Sequence, residues 1–467
     1  LLTENEKKVY RQFSKLSLPR HTSFPIYPIW KKDFKDHDYF SSFGRDLKDS
    51  KDISLYVHIP FCEKLCRYCG CNKLIVSHER RQTTDPSHDF LDGLERELQI
   101  LGPYVGRKSI HELHLGGGSP TFLSADQLDK MMVTISRYFD LDSDGIFSVE
   151  IDPRITSFSQ LEVLKSWNFT RASLGVQDFD PKVQKAVGRI QSYDMIQNIM
   201  NQLKELEFQS INFDLIYGLP YQTRESMETT LNHVLKLDPD RIAFFRLALM
   251  PEISSWYKSF PMNSIPDSED TLYFIEQAIL KFSKSYRYLG FDHFAKPTDS
   301  LAQSVEKGSL QRNFQGMSTG KALPIIGVGP SAISFTGNIY HQNQKNYSRW
   351  LKGTNEEGPL TECGIELTQI DRAYKCLIDD IYGSGSIDLA GVSEKFFGHS
   401  DFFKDYAEKI ERLEQIGLIQ KRNDHGYQLT SPLGQILSRV VASAFDPYLG
   451  NDDWEKGLSV SIGSKVG

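Results

Sequence analysis

At 467 residues, with 39% apolar side chains and a mean hydropathy of −0.40, the chain has room for one large domain and one or two smaller ones. It contains no run of eighteen apolar residues, which excludes a membrane-spanning helix. The net charge of −7 argues against general nucleic-acid binding, so an anionic ligand has to be held by local positive charge.

Residues 1–50 are polar, charged and punctuated by Pro19, Pro25 and Pro28. They read as an arm with a short helix near 4–16. No basic segment leading into an apolar stretch opens the chain, so no secretory signal is read there. From Ile53 the pattern changes. Short β-rich apolar runs at 53–59, 112–115, 146–151, 171–176, 210–216 and 241–248 alternate with helical stretches at 90–101, 125–138, 157–167, 193–206 and 224–237. Strands alternating with helices predict βαβ units and a parallel sheet, and six such units suit a partial (β/α)6, TIM-like barrel. A long helix is expected at 268–288, followed by an irregular segment, 291–320, that returns to the barrel mouth.

After about residue 355 the chain turns helical, and 406–430 has the outline of a small winged-helix module. Acidic residues are interleaved along Glu408–Glu414 with no basic stripe, so the module is read as packing or lid rather than as DNA-binding. The predicted organisation is an arm and substrate lid at 1–50, a catalytic α/β domain at 51–355 and a helical, winged-helix-like domain at 356–467.

Four of the six cysteines, Cys62, Cys66, Cys69 and Cys71, fall within ten residues directly after the first apolar run. A C-x3-C-x2-C loop suits a [4Fe–4S] cubane held by three thiolates, with the fourth iron open to another ligand. A zinc site or a chance group of thiols is the alternative. Zinc sites, however, usually add a second distant pair, and Cys363 and Cys376 stand alone. Cysteines clustered in this way point to a reducing, cytoplasmic setting rather than to a disulfide framework.

Other chemistry-bearing residues also sit where parallel strands end, the place parallel barrels use for active sites. Gly116-Gly-Gly-Ser119 follows the second strand, and its glycines let backbone N–H groups approach a ligand closely. Glu150 ends the third strand, where an unpaired carboxylate would be costly, and Gln177 follows the fourth. Tyr56 and His58 alternate on the first strand, so both face the same side.

The cysteine spacing resembles the radical S-adenosylmethionine (SAM) superfamily. Further motifs are Gly116-Gly-Gly-Ser119-Pro-Thr, Glu150-Ile-Asp-Pro-Arg154, Gly175-Val-Gln177, Asp214-Leu-Ile-Tyr-Gly-Leu-Pro220, Asp292-His-Phe, Arg312-Asn-Phe-Gln-Gly316 and Gly329-Pro-Ser-Ala-Ile333. In this order they are similar to the oxygen-independent coproporphyrinogen III oxidases of haem biosynthesis. The resemblance implies a radical SAM barrel. Cys62, Cys66 and Cys69 would be the cluster ligands, with Cys71 no ligand. Tyr56, Gly117, Glu150, Ala248 and Ile333 would contact a first SAM molecule. Tyr68, Gly118, Ser119, Gln177, Arg189 and Asp214 would border a second.

It further implies oxidative decarboxylation of two propionates of coproporphyrinogen III. Tyr56, His58, Glu150, Arg20 and Arg246 would be the catalytic set, and Arg20, Arg246, Lys296 and Arg312 would be cations for the substrate carboxylates. The expected partners are the substrate and an electron donor such as flavodoxin or ferredoxin. A monomer with no nucleic-acid or membrane partner is expected.

Two stretches depart from the family pattern. Pro-Arg-Tyr-Thr-Ser-Tyr becomes Pro19-Arg20-His21-Thr22-Ser23-Phe24, and Asn-Tyr-Ala-His becomes Arg246-Leu247-Ala248-Leu249. The rival readings are a haem-binding chaperone of the same superfamily and a haem ring-opening methyltransferase. Chaperones of that kind generally lack the last cysteine and the arm, both of which are present here.

Overall fold

The computed structural model describes residues 1–248, 260–314, 316–319, 323–422, 426–457 and 464–465. Six strands, β1 (Asp52–Ile59), β2 (Ser109–Gly117), β3 (Asp140–Ile151), β4 (Phe169–Gln177), β5 (Ser210–Tyr217) and β6 (Arg241–Arg246), lie side by side in chain order and pair in parallel. Helices Ser87–Val105, Ala125–Tyr138, Phe158–Ser166, Tyr193–Glu205 and Arg224–Leu237 connect them. The helix boundaries follow local capping chemistry. Ser124 with Gln127, Ser157 with Gln160 and Thr223 with Ser226 each form reciprocal capping pairs at helix starts, satisfying N–H groups that the helix itself cannot.

Side-chain alternation then assigns the two faces of the sheet. On β1, Ile53, Leu55, Val57 and Ile59 are wholly buried in the main core, each worth about 1.5–3 kcal/mol of apolar burial. Tyr56 and His58 face the other way. That inner face is polar. A cavity of about 310 Å³ inside the curve of the sheet is lined by Glu112, His114, Ser148, Glu150, Asn212 and Asp214 among others. This is the (β/α)6 arrangement that the sequence predicts, and among the described residues the two end strands of the sheet do not pair with each other.

The sheet extends on both sides. Beyond β6 lie β8 (His293–Ala295) and β7 (Arg287–Gly290), antiparallel. Beyond β1 lie β9 (Ile325–Val328), which pairs in parallel with it, and then antiparallel β10 (Ile333–Phe335), β11 (Ile339–Asn343) and β12 (Thr361–Glu366). The sheet therefore runs past residue 355, the domain boundary expected from sequence.

The predicted helix at 268–288 stops at Phe282. Tyr286 turns inward and donates to the Pro239 carbonyl at 2.7 Å, freeing Arg287–Gly290 to pair as a strand. The segment read as irregular holds β8, the helix Ser300–Glu306 and a short hairpin, Gln311–Asn313 with Gly316–Ser318.

Residues 1–50 are packed. The helix Glu4–Phe13 is capped by Thr3 and ends three residues earlier than expected. Tyr10, Phe13, Leu18 and Phe24 are buried in the main core. The C-terminal region is mainly helical, with a three-stranded antiparallel sheet formed by Ser386–Ile387, Tyr427–Leu429 and Ile419–Lys421. Among the described residues, no helix is long and apolar enough to cross a membrane.

Glu97 joins the helix Ser87–Val105 to the β9–β11 side of the sheet. Fully buried, it accepts from Gly329 N at 2.8 Å, Trp350 Nε1 at 2.9 Å and Asn343 Nδ2 at 2.6 Å. Burial pushes its carboxyl from 4.5 up to about 7, against the pull of those three donors. Between these values the folded chain keeps a proton that the unfolded chain has released, so stability falls as pH rises through the window and levels off above it. Glu97→Gln is expected to flatten that slope in urea midpoints measured across the window. Glu97→Ala, which leaves three donors unpaired, is expected to cost roughly 3 kcal/mol or more.

Candidate active site

Pro60 ends β1, and the chain turns into the cysteine loop. Leu74 N donates to Pro60 O at 2.6 Å, Val76 N to Cys62 O at 2.9 Å and Cys69 N to Cys66 O at 3.1 Å. Lys73 Nζ reaches the carbonyls of Cys69 at 2.9 Å and Cys71 at 3.2 Å. All four cysteines are free thiols. Burial pushes Cys62 up to about 12. A hydrogen bond from the Cys71 thiol, aided by Lys73 and opposed by burial, brings Cys69 down to about 6.

Two guanidinium groups, Arg154 Nη2 and Arg189 Nη1, each lie 3.6 Å from Cys66 Sγ, and both pair with Asp152, at 2.6 Å and 3.4 Å. Burial raises Asp152, but Arg189 and Arg154 outweigh it and keep the carboxyl below its ordinary value. Thiols on one loop, with cations against one of them, are donors of the soft, anion-stabilising kind that a [4Fe–4S] cluster uses, although among the described residues no three of them stand grouped around one metal position.

The glycine run is hydrogen-bonded to this loop. Gly118 N donates to Ile59 O and Ser119 N to Phe61 O, both at 2.7 Å, and Ser119 Oγ stands 3.8 Å from Cys62 Sγ. A Cβ on Gly118 would sit 2.5 Å from the Phe61 carbonyl oxygen. One on Gly117, whose φ is +106°, would sit 2.6 Å from the His58 ring. Glycine is the residue that allows these two approaches.

Glu150, where an unpaired carboxylate would be costly, is paired within the protein. Oε2 accepts from Gly117 N at 3.2 Å and Oε1 meets His114 Nε2 at 3.3 Å. Its side chain keeps 42% exposure in the cavity, so room remains for a ligand donor. His114, which sequence reading missed, also meets Ser148 Oγ at 2.7 Å and stacks on Tyr56. Period-2 alternation on β2 was the available signal, because it places His114 beside Tyr56 in register.

Tyr56 Oη meets His58 Nδ1 at 3.0 Å, and His58 Nε2 meets the Asn72 carbonyl at 2.9 Å. A carbonyl only accepts, so Nε2 carries the proton and Nδ1 accepts from Tyr56. Burial lowers the His58 pKa, keeping the ring neutral.

Arg189 Nε donates to Gly175 O at 2.8 Å, and a Cβ on Gly175 would meet both Arg189 and Gln177 at 2.9 Å. Gln177 is left-handed, with a φ of +66°. Tyr68 packs with Val183, Val187, Leu219 and Leu247 and feels the charge of Arg189. Tyr68, Gln177 and Arg189 thus gather on the cysteine-loop side. Asp214 lies in the cavity and accepts from Ser173 Oγ at 2.9 Å and Asn212 Nδ2 at 2.8 Å. Burial, reinforced by the Glu150 charge, raises it to about 6.

Ala248 follows β6 and is half-buried. Ile333 opens β10 and packs near Trp30 and Tyr340. Arg20 donates to Arg246 O, and Arg246 to Ser14 O, both at 2.9 Å. Lys296 is corrected. It pairs with Asp238 at 2.9 Å and Asp240 at 3.2 Å, beside the start of β6, at the opposite end of the barrel from the cysteine loop. Leu249 and Gln315 lie outside the described residues.

A model of the radical SAM superfamily matches residues 56–234. Together with the fold and the thiol loop, this makes the chain a radical SAM protein, whose cofactors are a [4Fe–4S] cluster and SAM. Curated oxygen-independent coproporphyrinogen III oxidases match almost end to end. The Escherichia coli protein is 35% identical over 92% of this chain and 93% of its own length. The Helicobacter pylori (strain 26695) protein is 36% identical over 94% and 96%. The solved Escherichia coli coproporphyrinogen III oxidase superposes with a TM-score of 0.85 at 34% identity, covering 92% of this chain and 98% of the other. The chain belongs to the oxygen-independent coproporphyrinogen III oxidase family.

Gly118→Ala is expected to drive the glycine run off the cysteine loop and to lower iron content sharply. Gly70→Ala, with nothing within 4 Å of the new carbon, is expected to leave it unchanged. Iron per chain, measured side by side, checks this.

Proposed function

We propose that this protein removes two propionate carboxyl groups from coproporphyrinogen III, leaving vinyl groups and giving protoporphyrinogen IX. The observation that carries the reading is the joining of the thiol loop, the glycine run and the Tyr56–His58–His114–Glu150 cluster at one barrel mouth, in a chain matching coproporphyrinogen oxidases over more than nine-tenths of its length. When bound, the reduced cluster and SAM supply an electron and a 5′-deoxyadenosyl radical. Each propionate-to-vinyl conversion would require removal of one hydrogen atom, one CO2 and one electron from the side chain. The electron leaves to an acceptor.

Cys62, Cys66 and Cys69 would hold the cluster, and Cys71 would support Cys69 without ligating. Tyr56, Gly117, Glu150, Ala248 and Ile333 hold the reacting SAM. Glu150 already accepts from Gly117 N and can take one more donor from the cavity. His58 fixes Tyr56 through a hydrogen bond whose direction is set by the Asn72 carbonyl. Tyr68, Gly118, Ser119, Gln177, Arg189 and Asp214 border a second SAM molecule, and Arg20 and Arg246 act toward the substrate. The protein acts as a cytoplasmic monomer that takes electrons from a flavodoxin or ferredoxin. Residues 1–50 form the substrate-side wall, 51–355 the catalytic domain and 356–467 the helical region.

The test is anaerobic incubation of reconstituted protein with SAM, reductant and coproporphyrinogen III, followed for divinyl product and 5′-deoxyadenosine. Cys62→Ala, Cys66→Ala and Cys69→Ala are each expected to lose the cluster absorbance near about 400 nm, with Cys71→Ala keeping most of it. Glu150→Ala is expected to retain iron but suppress 5′-deoxyadenosine, whereas Asp214→Ala keeps iron and loses product. SAM cleavage with no decarboxylation by the parent protein would move the assignment to a haem-directed radical enzyme.

A further inference from the structure

Tyr56 of β1, His114 of β2 and Ser148 of β3 stand in one row across three neighbouring strands. Glu150 follows Ser148 on the same face of β3. His114, Ser148 and Glu150 all line the cavity inside the curve of the sheet. His114 stands just before the glycine run and belongs to none of the motifs read from the sequence. Its two ring nitrogens have different partners. Nε2 meets Glu150 Oε1 at 3.3 Å, and Nδ1 meets Ser148 Oγ at 2.7 Å. Ser148 Oγ also lies 3.3 Å from the Leu113 carbonyl, so its one proton serves either the ring or that carbonyl.

Either choice leaves the same donor toward Glu150. If the hydroxyl donates to Nδ1, the ring is neutral and its proton sits on Nε2. If the hydroxyl donates to the Leu113 carbonyl, Nδ1 donates to Ser148. Nε2, facing a carboxylate oxygen that only accepts, then carries a proton as well, and the ring is a cation. Glu150 is thus pinned at both oxygens, Oε1 by His114 Nε2 and Oε2 by Gly117 N at 3.2 Å. Two donors from β2 fix the plane of the carboxylate, and its partial exposure leaves the remaining lone pairs open to the cavity. Gly116 makes room for the pair, since a Cβ there would stand 3.0 Å from both Glu150 Oε1 and His114 Nε2. Tyr56 flanks the imidazole, with the ring planes 14° apart and the centroids 5.8 Å apart.

We propose that His114 is a positioning residue for SAM: the hydrogen-bonded chain Ser148–His114–Glu150 holds the Glu150 carboxylate turned so that its free lone pairs receive the ammonium of the methionine moiety. This rests on the assignment of Glu150 to the reacting SAM made above. An ammonium has three donors to place, and a fixed carboxylate gives it a charged acceptor already in position. His114 acts through Glu150 and has no part in holding iron.

The experiment measures equilibrium binding of radiolabelled SAM to the cluster-loaded protein without reductant, so that no SAM is cleaved, alongside iron content and melting temperature. Two replacements separate the two ends of the imidazole. Counted in bonds from Cβ, the amide nitrogen of Gln falls where Nε2 was and that of Asn where Nδ1 was. His114→Asn is therefore expected to keep its iron and to bind SAM roughly tenfold more weakly at the site that Glu150→Ala weakens. His114→Gln is expected to recover most of that loss. In the Glu150→Ala background, where the acceptor is gone, His114→Asn is expected to change nothing further. Equal losses in the Asn and Gln variants, or an added loss in that background, would make His114 a packing residue and overturn the proposal. So would parent-like SAM binding by His114→Asn. If Glu150→Ala itself binds SAM as the parent does, the assignment of Glu150 fails first, and the proposal with it. A readout that needs no SAM comes from the imidazole nitrogen resonances of the protein. The signals lost in His114→Gln are expected to include a protonated Nε2, and an unprotonated Nε2 would overturn the direction of the bond on which the proposal stands.

Discussion

Two backbone amides, those of Gly118 and Ser119, donate to the carbonyls of Ile59 and Phe61, and the barrel mouth is organised around them. They lock the turn leaving β2 onto the turn leaving β1. The cysteine loop, the glycine run and Glu150, which holds Gly117 N from β3, therefore move as one piece. Any Cβ on Gly118 would strike the Phe61 carbonyl, so the contact exists only because the sequence withholds a side chain there. Rigid placement of thiols, backbone donors and a carboxylate within one frame is the preorganisation that radical chemistry needs, since a misplaced reactive species attacks its own protein.

Much of this was legible from residue order. The alternation of Ile53, Leu55, Val57 and Ile59 with Ser54, Tyr56 and His58 announces a strand with two different faces, and repeating such runs between helices announces the parallel sheet. Capping residues such as Thr223 fix helix starts locally, which is why Arg224–Leu237 was found at its true bounds. What escaped depends on distant partners. The helix beginning at Ser268 ends early because Tyr286 finds the Pro239 carbonyl, a contact invisible to helical periodicity. Lys296 lies within the stretch Asp292–Pro297 read as a family motif, but a place in a motif does not tell which end of a barrel a residue occupies. Arg154 and Asp152, one turn beyond β3, carry no pattern that points to Cys66, and Arg439 lies more than four hundred residues from the carbonyls of Leu18 and Pro19 that it holds.

The two ends of the chain close over the same region. Ser17–Leu18 pairs antiparallel with Ser464–Lys465, Arg439 holds the backbone at Leu18 and Pro19, and the buried His21–Asp446 pair lies alongside. His21 is held by more than its place in the sequence. Imidazole reaches both Asp446 Oδ2 and Tyr382 Oη at 3.1 Å, bridging the N-terminal segment to two C-terminal elements. The exchange at Phe24 is apolar and complete, the ring packing against Tyr374 and Tyr448.

Arg189 touches the Cys66 sulfur with one nitrogen, Asp152 with another and the Gly175 carbonyl with the third. Were Cys66 to ligate the cluster as proposed, a guanidinium beside that thiolate would stabilise added negative charge and so raise the reduction potential of the centre. Any anion that entered beside Gln177 and drew Arg189 toward itself would take that positive charge from the sulfur. Occupancy of the pocket would then register as a change in voltage, and the readiness of the centre to accept an electron would depend on who is already seated next to it.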